Sequence, residues 1–458
     1  MTSWKFHHHN VIFARHFSLN SSMVAKGDRP FDILVYGATG YTGKKVVEYL
    51  VEKYPSLPVA ISGRTENKLR KVAEELNLPD SSVLIASLDD DGSGSNSTLV
   101  EALRQAKIVL ACAGPYRHCG MPLVKAALQA ETDYLDLCGE PQFFDDTLFE
   151  CEIEAREKNV LVVSACAFDC VPAELSATLV AKEVCKRFSI CTGIEICHTF
   201  EQVGKANVTT FLAAVDGFHA GYNGELKSSR KRVTEKFNVK KAPKTSDGPK
   251  LLQPGNLPSF HEDSETYALK FPGADAAAIR ASWRYNRIRK PELYDEVPQP
   301  KLSVCFGCPS TMDSVKVLSY GAIFSGLARF KFGCNVLKSY PEIFSNGVFT
   351  NGGPSKKELE EGSFCTFSKG YGRSENESVK VTCRGPEPGY VATPRILVSL
   401  ALTILEHREK LAFSGGVMLP GALFSECDEV YDIMKENSVV FEVEQGPELE
   451  SNIISTNV

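Results

Sequence analysis

The residues whose types and spacing suit chemistry fall into a few short runs. Gly37-Ala38-Thr39-Gly40-Tyr41-Thr42-Gly43 has GxxGxxG spacing. It is a variant of the pattern in which glycines permit a tight turn, a close approach of backbone to a pyrophosphate, and close helix packing. Its chemistry is the grip of a dinucleotide, with helix N-terminal amides facing the phosphates. About twenty residues beyond such a turn, an acid normally binds the ribose hydroxyls of NAD. Here that place holds Ser62-Gly63-Arg64, with Lys68 one helical turn on. Arg64 offers a planar cationic fork for a 2′-phosphate, so NADP is favoured over NAD, while Glu66 nearby keeps NAD open.

The run Ala111-Cys112-Ala113-Gly114-Pro115-Tyr116-Arg117-His118 follows an apolar stretch. As a loop at the carboxyl end of a strand it would face the nicotinamide half of the cofactor, with Ala113, Gly114, Pro115 and Tyr116 in contact. The cofactor carries the hydride, and the protein supplies orientation and a proton donor or acceptor. Tyr116, His118, Glu140 and Asp169 are the candidates for that acid-base work, each on a strand-end loop. Each also has a structural reading: Asp169 and Glu174 could cap the helix after Pro172, Glu140 could hold loop amides, and His118 could be merely exposed. The CxxC from Cys305 to Cys308 lacks a second pair or nearby histidines, so no metal site is expected. The Tyr-x-x-x-Lys pairs Tyr41/Lys45, Tyr49/Lys53 and Tyr431/Lys435 stand where no catalytic helix of a short-chain dehydrogenase would lie.

To position these groups, strands and helices must alternate. Phe31 to Tyr36 reads as a strand running into the glycine turn, then a helix from Thr42 to Lys53 with Val46, Val47, Leu50 and Val51 as its buried stripe. Further strands fall at 58–62, 83–88, 108–113, 134–137 and 160–165, with helices at 66–76, 98–105, 121–130 and 145–158 between them. Six strands with intervening helices predict an α/β, doubly wound parallel Rossmann sheet.

These motifs resemble the saccharopine dehydrogenase-like oxidoreductases: the GATGYTG turn, the SGR after strand two, the GPYRHCG run, Asp136-Leu-Cys-Gly139-Glu140-Pro141, and Ser164-Ala-Cys-Ala-Phe-Asp169-Cys-Val-Pro172. Gly385 to Pro394 and Gly415 to Gly421 are similar to that family too, and the chain also resembles the trans-acting enoyl reductases of bacterial glycolipid synthesis. The resemblance implies an α+β second domain inserted between Rossmann strands and a late segment returning to the nucleotide domain. Residues 1–29 then form a disordered extension, 30–184 the Rossmann domain, 185–384 the substrate and dimerisation domain, 385–430 the return segment and 431–458 a tail. Strands at 190–200 and 379–383, and an apolar helix from Thr393-Pro394 to Glu406, agree with this division. Family members are associated with membranes and lipid droplets, and some with mitochondria. No matched set of arginines offers itself for an amino-dicarboxylic substrate, which makes saccharopine itself a poor fit.

Composition bounds the rest. In 458 residues, 43% are hydrophobic and 24% charged, and the net charge is -6, a soluble globular balance that gives no reason to expect nucleic acid. Fifteen cysteines without framework spacing point to reduced thiols inside a cell. The first 27 residues hold no acid, which fits a mitochondrial presequence as well as it fits a disordered extension or a start at Met23. Val317 to Ala328 is an uncharged apolar stretch followed by Arg329-Phe-Lys331-Phe. It is too short to span a bilayer, where about 20 residues are needed, but segment 317–340 suits a headgroup interface. The alternative is a buried hairpin or a homodimer contact. The basic stretch from Glu225 to Lys250 reads as a flexible insertion. Two functions compete: an NADP(H)-dependent oxidoreductase on a hydrophobic or lipid-like substrate, and a non-catalytic dinucleotide-binding protein at a membrane or lipid-droplet surface.

Overall fold

The computed structural model describes residues 26–88, 97–202, 204–245, 247–254 and 257–444. The extension read over 1–29 falls, up to residue 25, outside the described residues, and so does the presequence reading.

Six strands form in the first 163 residues: β1 (Phe31–Tyr36), β2 (Val59–Gly63), β3 (Val83–Ile85), β4 (Ala106–Ala111), β5 (Asp133–Asp136) and β6 (Leu161–Val163). Later come β7 (Gly193–Glu201), β8 (Ala206–Asn207), β9 (Ser259–His261), β10 (Thr266–Lys270), β11 (Lys301–Cys308), β12 (Phe349–Thr350), β13 (Ser363–Tyr371), β14 (Ser378–Pro386), β15 (Gly416–Met418) and β16 (Val440–Val443). The first sheet has the order β15-β6-β5-β4-β1-β2-β3, and every pairing in it is parallel. Its strands are apolar on both faces because helices cover both sides. The helix Tyr41–Lys53 shows why: it turns Gly43, Val46, Val47 and Leu50 inward at helical spacing. Val51 is only half-buried.

The second sheet runs β16-β14-β13-β7-β11-β10-β9 and is antiparallel except where β7 and β11 lie parallel. The helix Val171–Phe188 leaves the first sheet and packs on β13 and β14, joining the two cores. A third cluster, Phe211, Val215, Ala328, Cys334 and Leu337, holds together the helices Val208–Tyr222, Thr311–Ala328 and Lys331–Ser339. The two-stranded sheet of β8 and β12 belongs to this lobe, with Phe349 of β12 packed on its cluster.

Three expectations are corrected. The helix after β4 begins at Tyr116, not Met121, so Tyr116 and His118 lie in its first turn rather than on a loop. The basic stretch 225–250 is not a flexible insertion throughout, because Glu225–Lys236 is a helix. Val233 and Ser229 are buried, Arg232 pairs with Asp146, and the Lys236 ammonium sits over the Phe149 ring. Nor does the chain trail off as a tail from 431. The helix Glu429–Glu436 buries Val430, Ile433 and Met434, and β16 then completes the second sheet beside β14.

The apolar segment is not a buried hairpin within this chain. Among the side chains of Thr311–Ala328 only Ser314 and Ala328 are buried, while Ile323 is 52% and Phe332 78% exposed. The apolar helix Thr393–Glu406 is the opposite case, a core helix buried along most of its length.

Candidate active site

The glycine turn joins β1 to the helix Tyr41–Lys53. Gly37 has φ +85, and a Cβ there would lie 3.0 Å from the Ala113 nitrogen. At Gly43 a Cβ would lie 2.2 Å from the Gly37 carbonyl oxygen, so the helix can start this close to the strand only with glycine. Gly40 is the N-cap and gives no side-chain cap, which leaves the first-turn amides open to an anion. Ala38 is buried, while Thr39 is exposed and Thr42 half-exposed around the turn. The strand order reverses between β1 and β4, and a dinucleotide lies outside the carboxyl ends of the strands at such a reversal.

Gly63 closes β2, and the Arg64 and Lys68 side chains beyond it are exposed. Arg64 has no hydrogen-bond or ion-pair partner among the described residues, whereas Glu66 is held by Arg70 at 2.8 Å.

On the other side of β1, the ends of β4, β5 and β6 are laced together. Tyr116 is buried, and its hydroxyl donates to the Ala111 carbonyl at 2.7 Å and accepts the Leu137 amide at 3.1 Å. The Glu140 carboxylate accepts the Tyr116 amide and the Arg117 guanidinium. Asp136 accepts the amides of Cys138 and Ala165 and the Ser164 hydroxyl. Burial pushes its carboxyl up to about 6, against the pull of those donors. Ala165 has φ +64, a left-handed conformation costly for a residue with a Cβ, and the Asp136 bond holds it there. Tyr116, Glu140 and Asp136 thus fix the shape of this edge. Of the four acid-base candidates, Tyr116 and Glu140 spend their polar atoms on this framework, and His118 is exposed on the helix.

Asp169, after β6, is different. It caps no helix of its own domain: Cys170 is the N-cap there, and one Asp169 oxygen instead accepts the Ala274 amide of the second domain at 3.2 Å. Beside it lie two residues that the sequence does not single out. His198 on β7 places Nε2 2.6 Å from Asp275 Oδ2 and Nδ1 2.8 Å from the Thr366 hydroxyl. Both His198 and Asp275 are fully buried, and Phe168 and Phe271 pack on the imidazole. Burial lowers His198 to about 4 and raises the carboxyls of Asp169 and Asp275, the latter helped by the Asp169 charge. Ile194, Ile196 and His198 share one face of β7, so a histidine at a core position of an alternating strand was the available signal.

The nucleotide turn is also linked to the third lobe through the return segment. The Tyr41 ring meets the Tyr390 ring edge-on at 4.8 Å, and the Tyr390 hydroxyl accepts the Asn207 amide at 2.7 Å.

Residues 33–163 match the saccharopine dehydrogenase NADP binding domain. The saccharopine dehydrogenase-like oxidoreductase of Mus musculus is 30% identical over 445 residues, covering 93% of this chain and 100% of its own. The chain belongs to the saccharopine dehydrogenase-like oxidoreductase family. The lipid droplet localized protein of Caenorhabditis elegans is similar to this family member as well, at 28% identity over 92% of this chain and 99% of its own. The solved saccharopine dehydrogenase (L-Glu forming) of Saccharomyces cerevisiae shares the fold, with a TM-score of 0.51 at 13% identity over 91% of this chain and 100% of that one. The glycine cradle and the uncapped helix start fit the dinucleotide that the family's NADP-binding domain takes. When bound, that group would supply the hydride, and the open amides at the start of the helix Tyr41–Lys53 would hold its phosphates.

Proposed function

We propose that this oxidoreductase uses NADP(H) in preference to NAD(H) and acts on a hydrophobic or lipid-like substrate at a membrane or lipid-droplet surface. The observation that carries the reading is the chain of contacts from the nucleotide turn through Tyr390 of the return segment to the apolar lobe. Tyr41 of the turn is wedged against Tyr390 and against Gly353, where an added Cβ would lie 3.1 Å from the Tyr41 ring. Tyr390 in turn binds Asn207, the N-cap of the lobe's first helix. The lobe exposes Met312, Val315, Ile323, Phe330 and Phe332, beside the cationic Arg329 and Lys331. Aromatic and aliphatic side chains next to basic ones suit a headgroup boundary.

Arg64 supports NADP, because an exposed guanidinium at the end of β2 is free to take a 2′-phosphate in bidentate fashion. The name of the nematode relative supports the droplet surface. Fluorescence titration with NADPH and NADH tests the cofactor, and equal affinity for the two removes the preference. Flotation of the full chain with vesicles of phosphatidylcholine and phosphatidylserine tests the surface, and protein left in the dense fraction removes it.

A further inference from the structure

Asp169, Asp275 and His198 come from three separate stretches of chain and meet at the seam between the two sheets. The nearest polar atoms of Asp169, Cys170 and Asp275 all lie within 4.8 Å of one another. No lysine or arginine pairs with either aspartate among the described residues, and the basic side chain against Asp275 is His198, which burial keeps neutral. Asp275 Oδ1 is buried with no hydrogen-bond partner. Asp169 is less enclosed than the other two and abuts Gly139, after β5, where a Cβ would meet its Oδ2 at 3.1 Å. It therefore stands at the carboxyl ends of β5 and β6, on the nicotinamide side of the strand-order reversal.

We propose that Asp169 exchanges the proton of the hydride-transfer reaction, and that Asp275 and His198 of the second domain share that proton with it as positioning residues. Two adjacent buried carboxyls without a cation cannot both ionise. In the resting site Asp275 Oδ2 carries a proton and donates it to neutral His198 Nε2, so Nδ1-H donates to Thr366. In reduction, hydride from the reduced nicotinamide forms a C-H bond at the electrophilic carbon of the substrate. The electron pair displaced onto the neighbouring atom takes the shared proton from Asp169, to which Asp275 has passed it, and hydronium from solvent returns one proton to the aspartate pair. Oxidation runs the same transfers backward. Besides these three, the titratable groups facing the seam are Cys170 on the same turn and Glu174 on the helix Val171–Phe188, with Cys138 behind Cys170. The proposal rests on the nicotinamide reading of the site.

The test is infrared spectroscopy of the full chain across pH, in H2O and D2O, together with NADPH titration. The wild type is expected to show a protonated-carboxyl band at neutral pH that Asp275→Asn reduces, with Glu174→Gln and Glu152→Gln as controls for the buried acids that burial raises to about 8 and about 7. Asp169→Asn is expected to lower the midpoint of that band by about one pH unit or more, since it removes the neighbouring charge. Both aspartate variants should keep the NADPH affinity within about two-fold, well under the tenfold that 1.4 kcal/mol represents. If Asp275→Asn does not fold, Asp169→Asn, at the open side of the seam, carries the test. A band unchanged in the aspartate variants overturns the proposal while leaving the cofactor reading intact. So does a stoichiometric divalent metal in the purified protein that Asp169→Asn releases. Absence of NADPH binding by the wild type overturns the cofactor reading and the hydride-linked role with it, whatever the band shows.

Discussion

The Glu140 carboxylate accepts the Tyr116 amide at 2.9 Å and the Arg117 guanidinium at 3.1 Å, so the loop after β5 holds the start of the helix after β4. Glu140→Ala would leave an uncapped helix start and a half-buried guanidinium without its partner. Hydrogen bonds to charged groups contribute roughly 1.5–3 kcal/mol, and a loss of about 2 kcal/mol is expected in urea unfolding. NADPH binding should weaken as well, because the Gly114-Pro115 segment loses its anchor.

Arg64→Ala should weaken NADPH about 10- to 100-fold and leave NADH unchanged, because a charge-assisted bidentate contact contributes roughly 1.5–3 kcal/mol. Isothermal titration with both dinucleotides checks this. A parallel loss for NADH would mean that Arg64 supports the turn rather than the phosphate.

Gly43→Ala should abolish binding of either dinucleotide. Its Cβ would lie 2.2 Å from the Gly37 carbonyl oxygen, a backbone atom that cannot move aside without opening the turn. Circular dichroism should show a folded protein, since the clash is local, while fluorescence titration shows no saturation.

The turn is also the most legible part of the chain, for a physical reason. Parallel strands covered on both faces must be apolar runs, and the glycines are demanded by sterics, so Phe31 to Gly43 announces itself. His198 and Asp275 could not be read in this way. They lie 77 positions apart, and the pairing of β7 with β13, which sets His198 opposite Thr366, is a tertiary fact. Tyr116 and Glu140 were legible as residues but not in their task, because a hydroxyl that laces two strands has the same sequence signature as one that donates a proton. Pro115 likewise reads as a loop residue, although it sits at the N-cap of the next helix. The basic helix Glu225–Lys236 was hidden by its charge: its stability comes from a few contacts with the helix Pro141–Glu157, not from an apolar stripe.

Glu174 gives a pH prediction. Its side chain is fully buried against the Ser282 hydroxyl, and burial pushes its carboxyl up to about 8 from an ordinary 4.5. The folded state therefore holds a proton that the unfolded chain has released. The stabilisation is complete below about pH 4.5 and is lost as pH rises through about 8. In that window the protein should lose up to about 1.4 kcal/mol per pH unit through this group. Urea unfolding at several pH values should show a shallower slope for Glu174→Gln, and an identical slope would contradict the assignment.

Phe332→Asp and Ile323→Asp together should reduce flotation with anionic vesicles at least several-fold. Both side chains are more than half exposed, so stability should change by no more than about 0.5 kcal/mol per site. The NADPH affinity should be unaltered.

The two closing strands carry a consequence for how the molecule comes into being. β15 pairs with β6 at one margin of the first sheet, and β16 with β14 at one margin of the second. Both are supplied by the stretch from 416 to 443. Neither sheet has all its described strands until the stretch from 416 to 443 has been translated, so a ribosome that has not yet reached it presents two unfinished sheets with bare margins. A nonsense mutation anywhere before residue 416 removes the finishing strand of both at once.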